Sequence, residues 1–310
     1  MTGITTRFRA VANLQGTPPA LSVFLLLLTL TSIPGSGFQS WSSGQAQSED
    51  LGLLRRASQN EVTALEHPSQ FTFFERLRWN WGSETREVIE TAQGRADRVV
   101  AFDDEPLAPN QVARQVHRLS KLLKDPHAVH DEIKDQQEET ERRIRMMKVF
   151  PDAFLFEPAG EEDDGTRIFR FRPNPKFSPH DRETQVYRGM QGKVWVDPQA
   201  ERLTRIDGVL TKDVSFGWGV LGKLYKGGRY QIQQEQVSPG EWRITSLNLE
   251  LRGRMLFNSF RVLREETDSE FRHTPRSVTY TEAVEQLLRS PAGPARERVP
   301  GQSGSRGRSH

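Results

Sequence analysis

Residues 242–254 read WRITSLNLELRGR, and their alternation limits what the chain can become. Leu247, Leu249 and Leu251 fall on one side of an extended backbone, and Asn248, Glu250 and Arg252 on the other. A period of two marks a β-strand with one buried face. The same pattern surrounds it. Val194-Trp195-Val196 is a β-rich run, Asp197-Pro198-Gln199-Ala200 is a turn, and Leu203 to Leu210 returns as the next strand. Tight turns join only antiparallel neighbours, so Tyr187 to Arg272 predicts an antiparallel meander.

Upstream, FTFFERLRWNW sets Phe71, Phe73, Leu77, Trp79 and Trp81 against Thr72, Arg76, Arg78 and Asn80. Phe74 breaks the polar side of that alternation and Glu75 the apolar side. Thr85–Thr91, Arg98–Phe102, Ala153–Phe156 and Thr166–Arg172 read as further strands, with an exposed turn at Gly160–Gly165. Helices come in four places. Ser48-Glu49-Asp50 starts one that carries Leu51, Leu54, Val62 and Leu65 on one face. Pro109-Asn110 opens a second with a stripe of Val112, Val116, Leu119 and Leu123. Asp125 caps a third, with Pro126 at its first position, running to about Phe150 through a solvated DQQEETERR middle. Thr279–Leu288 predicts a short terminal helix.

The first 46 residues predict a secretion signal: Arg7 and Arg9, an apolar Ala20–Ile33, then small residues with a cleavage site at Gly44-Gln45-Ala46, Gly35-Ser36-Gly37 being a second candidate and an uncleaved N-terminal anchor the alternative. The apolar run is too short for a comfortable membrane span. The expected layout is a signal peptide over 1–46, a sheet domain over 47–275, the short helix within 276–289, and a disordered Pro/Gly/Ser/Arg tail over 290–310. Loss of Arg7 and Arg9 from the 43 basic residues leaves 41 against 41 acidic ones. A mature chain of zero net charge does not suit a general nucleic-acid binder. With no cysteine, thiolate metal sites, disulfides and a cysteine nucleophile are all excluded.

Phe216–Gly228, FGWGVLGKLYKGG, matches both Gly217-x-Gly219-x-x-Gly222 and most of a phosphate loop. Both motifs need a helix directly afterwards. Gly227-Gly228 leaves no room for one, and Leu224 stands where a magnesium-binding Ser/Thr belongs, so no nucleotide is expected. Two readings of this stretch stand side by side. Its large residues pack into the core, or Trp218, Leu221 and Leu224 form a mobile apolar lip that touches a ligand. His127 and His130 sit three apart on a polar helix, with His117 further off; without a full ligand set they read as exposed surface, so no metal is expected. No G-x-S-x-G is present. The carboxylate pairs Glu161-Glu162 and Glu265-Glu266 lie in charge runs, which read as solvated surface. Neither a catalytic group nor a cofactor is expected.

The order of elements, with GKVWVDPQAERLTRIDG inside the meander, resembles the LolA/LolB-like superfamily of periplasmic lipoprotein carriers over about Asp50 to Arg272. That resemblance implies an α+β fold in which a strongly curved antiparallel sheet, a half-open barrel, wraps over a few helices and encloses an apolar cavity. It implies a periplasmic or secreted, non-enzymatic carrier of lipid or a lipoprotein acyl chain, without a stable membrane span after cleavage. The alternatives are a structural or partner-binding cell-envelope protein with a packed core, and an enzyme of unrecognised type such as a hydrolase.

Overall fold

The computed structural model describes residues 44–290 except 180, 182, 217–221 and 257. A helix α1 (Gly44–Glu66) leads into a meander of β1 (Phe71–Trp79), β2 (Gly82–Glu90), β3 (Arg95–Phe102) and the two-residue β4 (Glu105–Pro106). Two helices follow, α2 (Pro109–Lys124) and α3 (Pro126–Ala153). The chain then returns as β5 (Phe154–Glu161), β6 (Arg167–Pro173), a 3-10 turn (Thr184–Arg188), β7 (Met190–Asp197) and β8 (Arg202–Leu210). A small hairpin of β9 (Val214–Phe216) and β10 (Gly222–Leu224) precedes β11 (Arg229–Ser238), β12 (Glu241–Met255) and β13 (Asn258–His273), and α4 (Tyr280–Arg289) ends the described chain.

All 13 described strands join one antiparallel sheet in the order β4-β3-β2-β1-β13-β12-β11-β8-β7-β6-β5, with β10 added to the far end of β12 and β9 to β10. The sheet ends on β4 and β5 and does not close. The inherent twist of neighbouring strands makes a sheet of this width curve. The architecture is thus the expected α+β fold with a curved antiparallel sheet. The longest-range junction is β13 with β1, which fuses two meanders far apart in sequence; β8 with β11 and β10 with β12 are shorter skips.

Local chemistry fixes the boundaries. Asp125 caps α3 by accepting from the Ala128 N–H at 3.2 Å. Thr279 and Glu282 form a reciprocal capping box on α4. In the β7–β8 turn, Asp197 accepts from the N–H groups of Gln199 and Ala200 at 2.8 and 2.9 Å. Gly192 has no substitute, since a Cβ there would lie 1.9 Å from the Asp207 carbonyl oxygen.

The main core lies between helices and one end of the sheet. Leu53, Leu54 and Ala57 of α1 and Phe150 of α3 pack onto Phe154, Phe169, Phe171, Val194, Val196 and Ile206. Phe154 meets Phe171 and Tyr187 edge-on, with ring centroids 4.8 and 4.9 Å apart. Burying this many aromatic and branched side chains supplies most of the local stability, at roughly 1.5–3 kcal/mol each. A second core sits on the other side of β2 and β3, where Ala283, Val284 and Leu287 of α4 meet Ile89, Ala96 and Leu119. The terminal helix is therefore part of the packed body. The stripe on α2 is rotated from the one expected: Leu119, Leu122 and Leu123 face α4, while Val116 is exposed. On α1, Leu51 is exposed and Leu53 takes the inner place. No described helix is long and apolar enough to cross a membrane.

Candidate functional site

Strand register shows which side chains share the helix-bearing face. Ile206, in the main core, stands opposite Ile232, which stands opposite Leu247, which stands opposite Glu266. One row along, Tyr230, Leu249, Arg264 and Trp79 lie side by side, and then Leu251 and Val262. Directly opposed residues of an antiparallel pair project to the same side, so Ile232, Leu247, Leu249, Leu251 and Val262 all face the helices.

These residues are only half-buried. The helices pack mainly on β2, β3, β5 and β8; on β11 they meet Tyr230 and Gln234, and among the described residues no helix packs extensively on β12 or β13. Ile232, Leu247, Leu249 and Val262 stand outside the packed clusters among the described residues. The result is an apolar strip, bounded on one side by the main core through Tyr230. Burial pushes the Tyr230 hydroxyl up to about 12, and Arg143 of α3 is near enough to oppose that shift. Most of the DQQEETERR middle of α3 is solvated as expected. Gln136 is the exception: it accepts from the Arg95 N–H at 2.7 Å and donates to the Arg95 carbonyl at 2.9 Å, satisfying the backbone of β3.

The strip ends on β13 in charge. Glu75 stands opposite Asp268, and Leu77 opposite Glu266. Carboxylate oxygens of Glu75, Glu266 and Asp268 lie within 4.8 Å of one another. Glu75 is 1% exposed and takes Arg95 at 2.6 Å on Oε1; its Oε2 has no hydrogen-bond donor, with Arg86 3.9 Å away. Arg264 holds Glu266 at 2.5 Å. Among the described residues Asp268 has no ion pair within reach, and its buried Oδ1 lacks a donor. Burial first, then Glu266 and Glu75, pushes the Asp268 carboxyl from 3.8 to about 8, against the pull of Arg95 and Arg243. The Arg95 guanidinium is held strongly protonated by Glu75. Further along, burial raises the Asp97 carboxyl but Arg118, Arg86 and Arg95 outweigh it and leave it lowered. Asp268 also borders an open groove of about 490 Å³ shared with Thr245, Ser246, Thr267, Val237 and Phe271.

Of the expected lip, Trp218 and Leu221 lie outside the described residues. Leu224 is 1% exposed and packs with Leu210, Val214 and Leu251, so it belongs to a buried cluster that closes the Leu251 end of the apolar strip and is not an open lip. Gly222–Leu224 is extended strand, which is the wrong backbone for the phosphate loop its sequence mimics. His117, His127 and His130 are exposed. An expectation about charge is also overturned: Glu266 is not solvated surface but is 16% exposed and paired inside the fold. Glu75 carried the signal for this site, as the one acid on the buried side of an apolar alternation. Its partners 191 and 193 residues away carried none.

The chain matches no protein-family model and no curated protein. Among solved structures it is similar to a DUF1329 family protein from Desulfovibrio piger, at 12% identity and a TM-score of 0.27, over 78% of this chain and 98% of that one.

Proposed function

We propose that this protein is an exported, non-enzymatic carrier that holds an acyl chain or similar apolar ligand against the helix-bearing face of β11–β13, in the manner of the LolA/LolB-like carriers. One observation carries the reading: a continuous strip of Ile232, Leu247, Leu249, Leu251 and Val262 on the inner side of a curved sheet, left half-exposed beside a fully packed core. Apolar surface on that side is costly in water and gains about 0.8 kcal/mol for each methylene that covers it. A chain of a dozen carbons therefore binds without any reacting group. Export is supported by the Ala20–Ile33 apolar segment and the small residues after it; N-terminal sequencing of the secreted chain should begin at or near Gln47.

Binding is tested with a fluorescent C12 probe and Leu249→Asp. Leu249 is already half-exposed, so the substitution should leave folding largely intact while placing a carboxylate in the middle of the strip. Probe affinity should fall at least about tenfold, the equivalent of ~1.4 kcal/mol. Unchanged affinity, or no binding by the parent protein, would favour the packed cell-envelope protein instead.

A further inference from the structure

We propose that the ligand's head is a single cationic amino group, seated on Asp268 with Glu75 and Glu266 beside it; this rests on the carrier reading of the apolar strip. Three carboxylates converge, and two are already matched: Glu75 by Arg95 at 2.6 Å and Glu266 by Arg264 at 2.5 Å. Arg86 is committed to Glu84, and Arg243 to Glu90. With every carboxyl ionised, one negative charge would have no partner, that of Asp268, which the free protein avoids by keeping the acid protonated. A divalent cation would overshoot it by one and would sit among the Arg95 and Arg264 guanidinia. A monovalent cation balances it.

Hydrogen bonding points the same way. Glu75 is 1% exposed, and its Oε2 and the Asp268 Oδ1 are both buried acceptors with no donor. Buried polar atoms in this state are costly. An ammonium carries three donors and one charge, enough for both oxygens and a third acceptor on Glu266. Position completes the case. Glu266 stands opposite Leu247 of the strip, so a chain lying along Leu247 and Leu249 brings its head to the carboxylates. Asp268 also opens onto the groove of about 490 Å³, which gives the head a way in.

In the free protein Asp268 holds a proton near neutral pH. Binding is then an exchange: the Asp268 carboxyl gives its proton to solvent, and its carboxylate accepts hydrogen bonds from the ammonium. No covalent bond forms or breaks elsewhere.

The test compares monomeric dodecylamine, dodecanol and laurate by calorimetry in two buffers of different ionisation enthalpy. The amine should bind about tenfold or more tightly than the alcohol, as a charge-assisted hydrogen bond provides, and laurate most weakly. Amine binding near pH 7 should release roughly one proton, and dodecanol none. Asp268→Asn should bring the amine down to the affinity of the alcohol and abolish the proton release. Equal binding of all three overturns the headgroup assignment and leaves the carrier reading standing; binding of none overturns the carrier reading itself. Displacement of the amine by calcium ions at equal concentration would show a divalent site and overturn the assignment.

Discussion

Replacing Asp268 by Asn should remove a loss of stability that the parent chain suffers as pH rises. The folded carboxyl titrates near 8, and the unfolded one near its ordinary 3.8. Between those values the native state holds a proton that the unfolded state has released. Stability therefore falls with rising pH across that window, because the unfolded state binds fewer protons. At roughly 1.4 kcal/mol per pH unit, the full span is on the order of 6 kcal/mol. Water in the adjoining groove screens the charge, which brings the expectation to about half of that. Asn keeps the shape and the hydrogen-bonding capacity of the protonated acid but cannot ionise. Urea unfolding of both proteins at about pH 5 and about pH 8.5 measures the effect as a change in midpoint at constant slope. The parent should lose roughly 2–3 kcal/mol more than the variant between the two conditions. Other raised carboxyls, Glu61, Glu84 and Glu132, titrate in both proteins and cancel in the difference. Parallel pH curves for the two proteins would refute the reasoning, since they would mean that Asp268 is not held protonated in the fold.

Two further outcomes follow from the packing. Glu61 of α1 accepts from Arg202 at 2.9 Å, from the Leu203 N–H at 3.2 Å and from Gln234 at 3.0 Å, so Glu61→Ala should cost ~3–5 kcal/mol in chemical denaturation by leaving a buried guanidinium and two donors unmatched. A chain ending at Ser290, whose carbonyl accepts from Arg98 at 2.9 Å, should melt like the full-length protein, whereas one ending at Val278 should melt many degrees lower because Tyr280, Ala283, Val284 and Leu287 are all buried.

Much of the fold was legible where the signal is local. The alternation of Leu247, Leu249 and Leu251 gave a strand and, correctly, a shared face. Asp125-Pro126 marked the break between α2 and α3, and Thr279 the start of α4. The phase of a helix was harder, because a stripe of apolar residues tolerates rotation by one position. Leu122 was bypassed for Val116, and Leu53 for Leu51. The candidate site was the least legible. Glu75 announced itself as a break in pattern, but Asp268 and Glu266 meet it only through the pairing of β13 with β1, and no turn or short motif records a pairing of that span. The glycine-rich stretch, by contrast, drew attention through composition, and its describable member, Leu224, turned out to be core. Sequence reading therefore located the apolar face without showing that charge bounds it.

Photolabelling tests the carrier account most directly. An alkyl diazirine of about a dozen carbons, equilibrated with the folded protein and irradiated, marks whatever side chains the chain touches, and mass spectrometry of the peptides then locates the adducts. The account predicts adducts concentrated between Tyr230 and Leu251 and at Phe260–Arg264, competed away by unlabelled amphiphile. Adducts confined to exposed apolar residues such as Leu51, Trp81 and Leu256, and not competed, would contradict it.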